Sequence, residues 1–144
     1  MTSTFSLVQL LKKLAIFGAP EDAATDLIHR RSEVTDDLVL TALGLAIWAH
    51  RNGHPCVHLG DVGGLVGKDL SEDDLKLLLG SLPSVAEFIN ALNSNPTIVR
   101  KIEKGGVGTY SEATSDRRPL VLVGELLFTQ RQFADELSIA EQLA

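Results

Sequence analysis

Residues 119–129 read PLVLVGELLFT. Two short runs of apolar, strand-forming residues are joined in this segment by Gly124 and Glu125. A two-residue connection with glycine in first place is typical of a type II′ turn, whose backbone twist matches that of paired strands. The segment therefore predicts a short antiparallel β-hairpin near the C-terminal end of the chain.

Helical periodicity covers much of the remaining sequence, because apolar residues repeat at intervals of three and four in six segments. These segments are residues 5–17, 20–31, 36–51, 71–79, 84–94 and 130–144. The third has so wide an apolar face that we expect it at the centre of the fold, with Leu45 buried. The predicted fold class is mainly α (α+β), with about six helices and one short antiparallel β-hairpin near the C-terminus.

The connections between these segments are expected to be turns and loops. Gly18 is predicted to end the first helix, and the four glycines within residues 60–68 predict a flexible turn. Residues 105–118 are rich in Gly, Ser and Thr and predict the most mobile internal loop. Residues 56–59 are expected to be extended, whereas residues 97–102 clearly fit neither the helical nor the strand pattern. The inward face of the second helix is predicted to carry Ala23, Ala24, Leu27 and Ile28.

The composition favours one ordinary globular domain spanning residues 1–144. The chain has 144 residues, 44% of them hydrophobic, which is sufficient for a packed core. The one cysteine, Cys56, cannot form an internal disulfide. A basic N-terminal region followed by a long apolar run is missing, and no apolar stretch approaches the ~20 residues that span a bilayer. We therefore expect a cytoplasmic protein with no membrane contact.

The charge pattern argues against a surface devoted to nucleic acid. The net charge is −6, whereas phosphate contacts need clustered Lys and Arg. Residues 97–131 are nevertheless weakly positive, and five of their cations form a possible basic rim that touches DNA phosphates. These are Arg100, Lys101, Lys104, Arg117 and Arg118. A solvated loop is the interpretation that we favour for them, and the sequence leaves open whether residues 105–118 touch DNA.

A glycine-rich segment, GGLVGK at residues 63–68, suggests a phosphate-binding loop at first sight. The P-loop pattern, G-x-x-x-x-G-K-[ST], requires a glycine five positions before the glycine of the final Gly-Lys pair and a Ser or Thr directly after the lysine. Here Val62 occupies the first glycine position and Asp69 the hydroxyl position. Since a carboxylate repels phosphate, we predict that this chain neither binds nor hydrolyses ATP, and that it holds no cofactor.

His50, His54 and His58 recur every four residues, the spacing of a metal site on a helix. Gly53 and Pro55 interrupt that helix, and on an extended segment Cys56 faces away from its two histidine neighbours. We predict no metal site and no catalytic residue, because nothing surrounds Cys56 or any serine with a recognisable activating pattern. Trp48 and Phe133 are expected in the core.

Two blocks of the sequence resemble the N-terminal domain of RecD-type subunits of the RecBCD helicase–nuclease (exodeoxyribonuclease V). The first is AHRNGHPCVHL at residues 49–59, which is similar to a helix followed by G-H-V-C-L-x-L. The second is PLVLVGELLF with QRQFADE and Ile139-Ala140, which is similar without gaps to P-L-V-L-x-G-D-R-L-Y-L-x-R-x-W-x-x-E-x-x-V-A. The resemblance covers residues 36–60 and 119–144. This chain departs from the family pattern at Pro55, Glu125, Leu126, Phe128 and Phe133.

The resemblance implies a non-catalytic assembly domain of a 5′→3′ DNA helicase subunit that acts in double-strand-break repair and recombination. In that family this domain docks on a RecC-like partner, within a complex that also holds a RecB-like subunit. ATP and Mg²⁺ belong to the helicase motor, which follows this domain and is not in this sequence. DNA is then reached only through the full complex. We take Arg131, which follows the hairpin in the better-matched block, as the candidate partner contact.

Two other functions remain open. A winged-helix-like DNA-binding module would also place a hairpin after helices. A hairpin that contacts DNA needs cations, however, and the one charged residue within 120–129 is Glu125. A small stand-alone regulator is the third possibility. A P-loop encoded downstream of Ala144 would distinguish the assembly domain from such a regulator.

Overall fold

The computed structural model describes residues 7–32, 36–102 and 110–143. These residues form eight helices and a four-stranded mixed sheet, so the predicted fold class, mainly α with some β, is confirmed. The elements are, in chain order, α1 (Leu7–Lys13), α2 (Ala19–Ser32), α3 (Asp37–Arg51), β1 (Val57–His58), α4 (Val62–Val66), α5 (Glu72–Ser81), α6 (Val85–Asn93), β2 (Val99–Ile102), α7 (Tyr110–Ser115), β3 (Leu120–Val123), β4 (Leu126–Thr129) and α8 (Gln130–Leu143).

The predicted hairpin forms the centre of the sheet, whose strand order is β1-β4-β3-β2. β1 pairs antiparallel with β4, and β2 pairs parallel with β3. Gly124 has a φ of +61°, and Glu125 is not among the residues with positive φ. A positive φ at the first turn residue alone is the signature of the type II′ turn, so the turn prediction is confirmed.

The two outer strands extend the predicted hairpin into a sheet. β1 is only two residues long, which is too short for an alternating pattern. β2 reads VRKI, and the two adjacent cations between its apolar ends do not give the alternating pattern of a strand. The prediction of a hairpin alone was therefore incomplete, because both outer strands depend on distant partners rather than on local pattern.

Each face of the sheet is covered by a separate group of helices. Alternate side chains point to opposite faces of a strand. Leu120, Leu122 and Leu127 join the larger apolar cluster, which includes α1, α3 and α6. Val121 and Phe128 join the smaller cluster with Phe133 of α8. The hairpin is therefore buried between two helical layers.

Helix α3 lies at the centre of the larger layer, as its wide apolar face predicted. Leu45 is fully buried, as are most of its neighbours on this helix. Asp36 begins the helix, because its carboxylate accepts a hydrogen bond from the backbone N–H of Leu38 at 2.9 Å. The helix ends at Arg51, where Asn52 closes it.

The first helix ends earlier than predicted, and Gly18 does not end it. Ala15 adopts a left-handed φ of +62°, while the N–H of Ile16 bonds the carbonyl of Leu11. This is the Schellman arrangement that closes a helix, with alanine in the position that glycine usually takes. Gly18 instead precedes α2, and its carbonyl accepts from the N–H of Asp22.

The buried stripe of α2 is also shifted from the predicted one. Ala23 and Leu27 are exposed, whereas Glu21 and Thr25 are buried and Ile28 packs against the core. Apolar content alone misplaced this face, because an ion pair of Glu21 determines which side of the helix turns inward.

Two segments predicted as loops contain helices. α4 lies within residues 60–68, and α7 within residues 105–118. The loop prediction is wrong for residues 110–115, since Ala113 is buried against the smaller cluster. Residues 105–109 lie outside the described ranges. Among the described helices, no single one is long and apolar enough to cross a membrane; α5 and α6 meet that test only as a pair bent by 51°.

Candidate partner interface

Arg131 lies at the second position of α8, directly after the hairpin. Thr129 caps this helix, because its Oγ1 accepts a hydrogen bond from the N–H of Gln132 at 3.1 Å. Arg131 is exposed. Within the described ranges no carboxylate lies within ion-pair distance of it, and Asp135, one helical turn further along α8, does not pair with it. A cation at the positive end of a helix is locally unfavourable, so this arginine does not stabilise its own helix.

The backbone around Arg131 is held on both sides. The side-chain amide of Gln130 donates to the carbonyl of Ala113 on α7. That of Gln132 donates to the carbonyl of His54 at 3.1 Å, which connects α8 to the segment between α3 and β1. Phe133 is buried beneath this turn and meets Phe128 edge-on, with ring centroids 5.6 Å apart. The Arg131 guanidinium is therefore carried by a helix turn whose backbone is held in place by its neighbours.

The three histidines that recur every four residues, His50, His54 and His58, do not come together at one site. His54 stacks on Trp48, with ring centroids 5.6 Å apart and an interplanar angle of 12°. His58 accepts a hydrogen bond at Nδ1 from the N–H of Gly60, and His50 is exposed at the end of α3. Trp48 is only partly buried, although it packs against the core as predicted.

Cys56 is partly buried in the same segment. Burial raises the pKa of its thiol, and the nearby Glu136 carboxylate raises it further. Such a thiol stays protonated and is a poor nucleophile at neutral pH. In the part of the chain that the structure describes, His, Cys, Asp and Glu side chains do not gather in a group of three or more that could hold a metal.

The five cations of the possible basic rim are not presented together. Arg118 binds Asp116 through two nitrogens, and Arg100 Nε lies 3.6 Å from the same carboxylate. The hydrogen bonds from Arg118 lower the pKa of Asp116 to about 2. Arg117 and Lys101 are exposed, and Lys104 lies outside the described residues. Two of the cations are thus paired with a carboxylate at the connection into β3, Arg100 largely buried and Arg118 still 37% exposed.

The glycines of the former P-loop candidate have a packing role. A Cβ at Gly63 would lie 2.4 Å from Leu79 Cδ2, and one at Gly67 would lie 2.7 Å from Leu75 Cδ1. Glycine at these two positions leaves room for the ends of the Leu79 and Leu75 side chains, where α4 packs against α5. The prediction that the chain binds no ATP is not tested by this packing and stays a prediction.

One ion pair, between the buried Glu21 and the partly exposed Arg51, was not predicted from the sequence. Glu21 is fully buried and receives two hydrogen bonds from the Arg51 guanidinium, at 2.6 and 2.7 Å. The N–H of Gly18 adds a third at 2.7 Å. Burial raises the pKa of Glu21, but these hydrogen bonds outweigh it and the net pKa lies below its usual range. No sequence pattern joins Glu21 to an arginine 30 positions away.

Comparison of the chain with protein-family models, with curated proteins and with solved structures found no match. Its function is therefore inferred from its own residues and their arrangement.

Proposed function

We propose that this chain is the non-catalytic assembly domain of a RecD-type 5′→3′ helicase subunit, which docks the motor on a RecC-like partner of an exodeoxyribonuclease V complex. One observation carries this proposal. The two sequence blocks that resemble this family lie together, since Val57 of the first pairs with Leu127 of the second. Gln132 of the second block also donates to the carbonyl of His54 in the first. Because the two blocks are distant in the sequence but lie together in the fold, their resemblance to this family is more specific than that of either block alone.

Arg131 is the proposed contact within this unit. It is exposed, unpaired among the described residues, and carried by a helix turn that two glutamine side chains fix in place. Arginine is enriched at protein interfaces because its planar fork binds carboxylates and stacks on flat surfaces. A fixed backbone lowers the entropy that such a contact costs on binding.

The two carboxylates whose pKa is lowered, Glu21 and Asp116, support a structural rather than a catalytic role. Glu21 and Asp116 each have a lowered pKa, and each is held by a neighbouring arginine. Such ionised, fully hydrogen-bonded carboxylates neither donate a proton nor activate a nucleophile near neutral pH. Their geometry is that of ion pairs that stabilise the connections between helices and strands.

A pull-down with the cognate RecC-like subunit tests the proposal. Arg131→Glu is expected to reduce binding at least tenfold, because it reverses the charge of the contact. Arg117→Glu is the matched control, since Arg117 is also an exposed arginine but lies before β3. Both variants should keep the circular dichroism spectrum of the unaltered chain. Equal binding by the two variants removes Arg131 from the interface, and failure of the unaltered chain to bind the partner rejects the assembly function.

The position of the hairpin supports the winged-helix alternative less well than it supports the assembly domain. A wing projects from its domain to reach DNA, whereas β3 and β4 lie between β1 and β2 at the centre of the sheet. The turn of the hairpin carries only Glu125, which repels phosphate. Salt-sensitive, micromolar DNA binding in the absence of partner binding would favour the wing nevertheless.

A further inference from the structure

The surface between the C-terminal end of α3 and the N-terminal end of α8 carries two aromatic rings beside Arg131. The rings of Trp48 and His54 stack, and both residues are only partly buried, so the stack reaches the surface. Gln132, the chain neighbour of Arg131, donates a hydrogen bond to the carbonyl of His54. This bond places the stack next to the helix turn that carries Arg131.

The backbone that carries the stacked rings is held from both sides. The N–H of His54 donates to the carbonyl of Ala49 at 2.8 Å, and the carbonyl of His54 accepts from Gln132 at 3.1 Å. The side-chain amide of Asn52 donates to the carbonyl of Trp48 at 2.8 Å. Because the rings are already ordered, another molecule that binds them loses little of the binding energy to their immobilisation.

The side-chain donors at this surface are not used within the described ranges. There, neither the indole N–H of Trp48 nor the ring of His54 has a hydrogen-bond partner, and neither is among the buried polar atoms left without one. Both groups therefore face solvent, as does the unpaired guanidinium of Arg131. Tryptophan is enriched at interfaces because it combines a large apolar body with a donor that needs an acceptor. We call Trp48, His54 and Arg131 together the donor surface.

The charges around the donor surface restrict what can cover it. Arg131 has no counter-charge within the described ranges, so it favours a carboxylate, to which its guanidinium can donate two parallel hydrogen bonds. Asp135 and Glu136 are exposed one helical turn further along α8. These two carboxylates repel a nucleic acid strand, which would bring several phosphates to the same surface. A protein segment with one carboxylate opposite Arg131 avoids this repulsion.

We propose that the donor surface docks a segment of the partner protein that presents a carboxylate to Arg131 and an aromatic side chain to the rings of Trp48 and His54. Tryptophan and arginine are among the residue types that dominate the binding energy of protein interfaces. An aromatic ring of the partner adds offset or edge-to-face contacts to the existing stack, and an acceptor on the same segment receives the indole N–H. This inference rests on the proposed function, because it states what the RecC-like partner presents at this site.

Fluorine NMR of the whole chain tests this surface without altering its fold. The chain contains one tryptophan, so incorporation of fluorotryptophan places a single label at Trp48. The cognate RecC-like subunit is added unlabelled, and its own tryptophans therefore give no signal. Binding is expected to shift the fluorine resonance and to remove its dependence on the exchange of H₂O for D₂O, because the partner then shields the indole from water.

Three variants of the chain give a second measurement, in which binding to the same subunit is compared. Trp48→Phe keeps a ring against the core and removes the N–H, whereas His54→Ser removes the stacked ring. Each is expected to weaken binding by about fivefold or more. His50→Ser is the matched control, because His50 is exposed at the end of α3 but lies two residues from Trp48, on the opposite side of the helix. All three should keep the circular dichroism spectrum of the unaltered chain.

The outcomes separate this surface from the proposed function. If the subunit binds while the fluorine resonance stays unchanged, or if His54→Ser binds as tightly as His50→Ser, the donor surface is rejected and the assembly function stands. Failure of the unaltered chain to bind the subunit rejects both. A shift of the resonance on addition of a single-stranded DNA oligonucleotide would assign the surface to nucleic acid and would also overturn the proposal.

Discussion

The ring of Phe17 lies against the backbone of Gly44, so close that a Cβ at Gly44 would be 2.4 Å from ring carbons. Phe17 follows α1 and is 4% exposed, while Gly44 is in the middle of the central helix α3. The missing side chain at Gly44 therefore creates the space into which the connection between α1 and α2 packs. Glycine is unfavourable inside a helix by ~1 kcal/mol relative to alanine, and this contact explains its presence.

Gly44→Ala should therefore destabilise the protein, although it improves helix propensity. Overpacking of a core costs ~1–3 kcal/mol, and the propensity gain of ~1 kcal/mol offsets part of that loss. Gly80→Ala is the matched control, because Gly80 is also helical but a Cβ there meets nothing within 4 Å. Urea unfolding should show a loss for the first variant and a small gain for the second. A gain in both would mean that the ring of Phe17 moves aside freely.

Ala15→Gly should stabilise the protein by ~0.5–1 kcal/mol. Ala15 closes α1 with a φ of +62°, a conformation that is strained for alanine and unstrained for glycine. The additional backbone entropy of glycine in the unfolded chain offsets some of this gain. Thermal melting should show a higher Tm, whereas Ala15→Val should lower it because a β-branched residue resists this conformation more strongly. A lower Tm for the glycine variant would contradict the Schellman closure.

Leu45→Ala should cost ~2–5 kcal/mol, as expected for a fully buried leucine. Leu45 is 0% exposed at the centre of α3, where it contributes to the larger apolar cluster. Leu27→Ala offers the comparison, because Leu27 is 51% exposed and its truncation should change the free energy of unfolding by less than ~0.5 kcal/mol. A loss below ~1 kcal/mol for Leu45→Ala is incompatible with the buried face described for α3.

Acid should destabilise this protein partly through Asp116. Its pKa in the folded protein is about 2, below its ordinary value of ~3.9, because Arg118 binds the ionised carboxylate. The unfolded chain therefore takes up this proton first. The stabilisation is fully present above about pH 5 and is lost as the pH falls from ~4 through ~2.

Asp116→Asn should remove this part of the pH dependence. Between pH 5 and pH 2, we expect the free energy of unfolding of the unaltered protein to fall by ~1–2 kcal/mol more than that of the variant. This value is reduced for solvent screening, because Arg118 is 37% exposed. Denaturant unfolding at a series of pH values measures the difference. Parallel curves for the two proteins would show that Asp116 is not held in its charged form.

Much of the helical layer could be predicted from the sequence, because local pattern determines it. The wide apolar face of α3 predicted its central position, and α6 begins at a capping box whose two residues, Ser84 and Glu87, are only three positions apart. The hairpin and its turn were also predictable, since both strands and the glycine lie within eleven residues. These features need no information from distant parts of the chain.

The features that were missed depend on distant partners. The buried face of α2 follows from the ion pair between Glu21 and Arg51, which lie 30 positions apart. The strand at residues 99–102 forms by pairing with β3. It could not be predicted from the sequence, because two adjacent cations separate its apolar residues. At the candidate interface, the sequence singled out Arg131, but the hydrogen bonds of Gln130 and Gln132 that hold its helix turn arise only from tertiary packing.

The central position of the hairpin has a consequence for the order in which this protein acquires its structure. In the described part of the chain, β1 and β2 each pair with the hairpin and with no other strand, and Val57 lies about 70 positions before its partner Leu127. During synthesis both outer strands therefore leave the ribosome well before the segment that joins them. The helices from α1 to α6 can associate early, while the sheet must wait for residues 120–129, and closing such long loops slows folding. Nascent chains released before this point would expose two unpaired strands, which makes them natural substrates for chaperones and proteases.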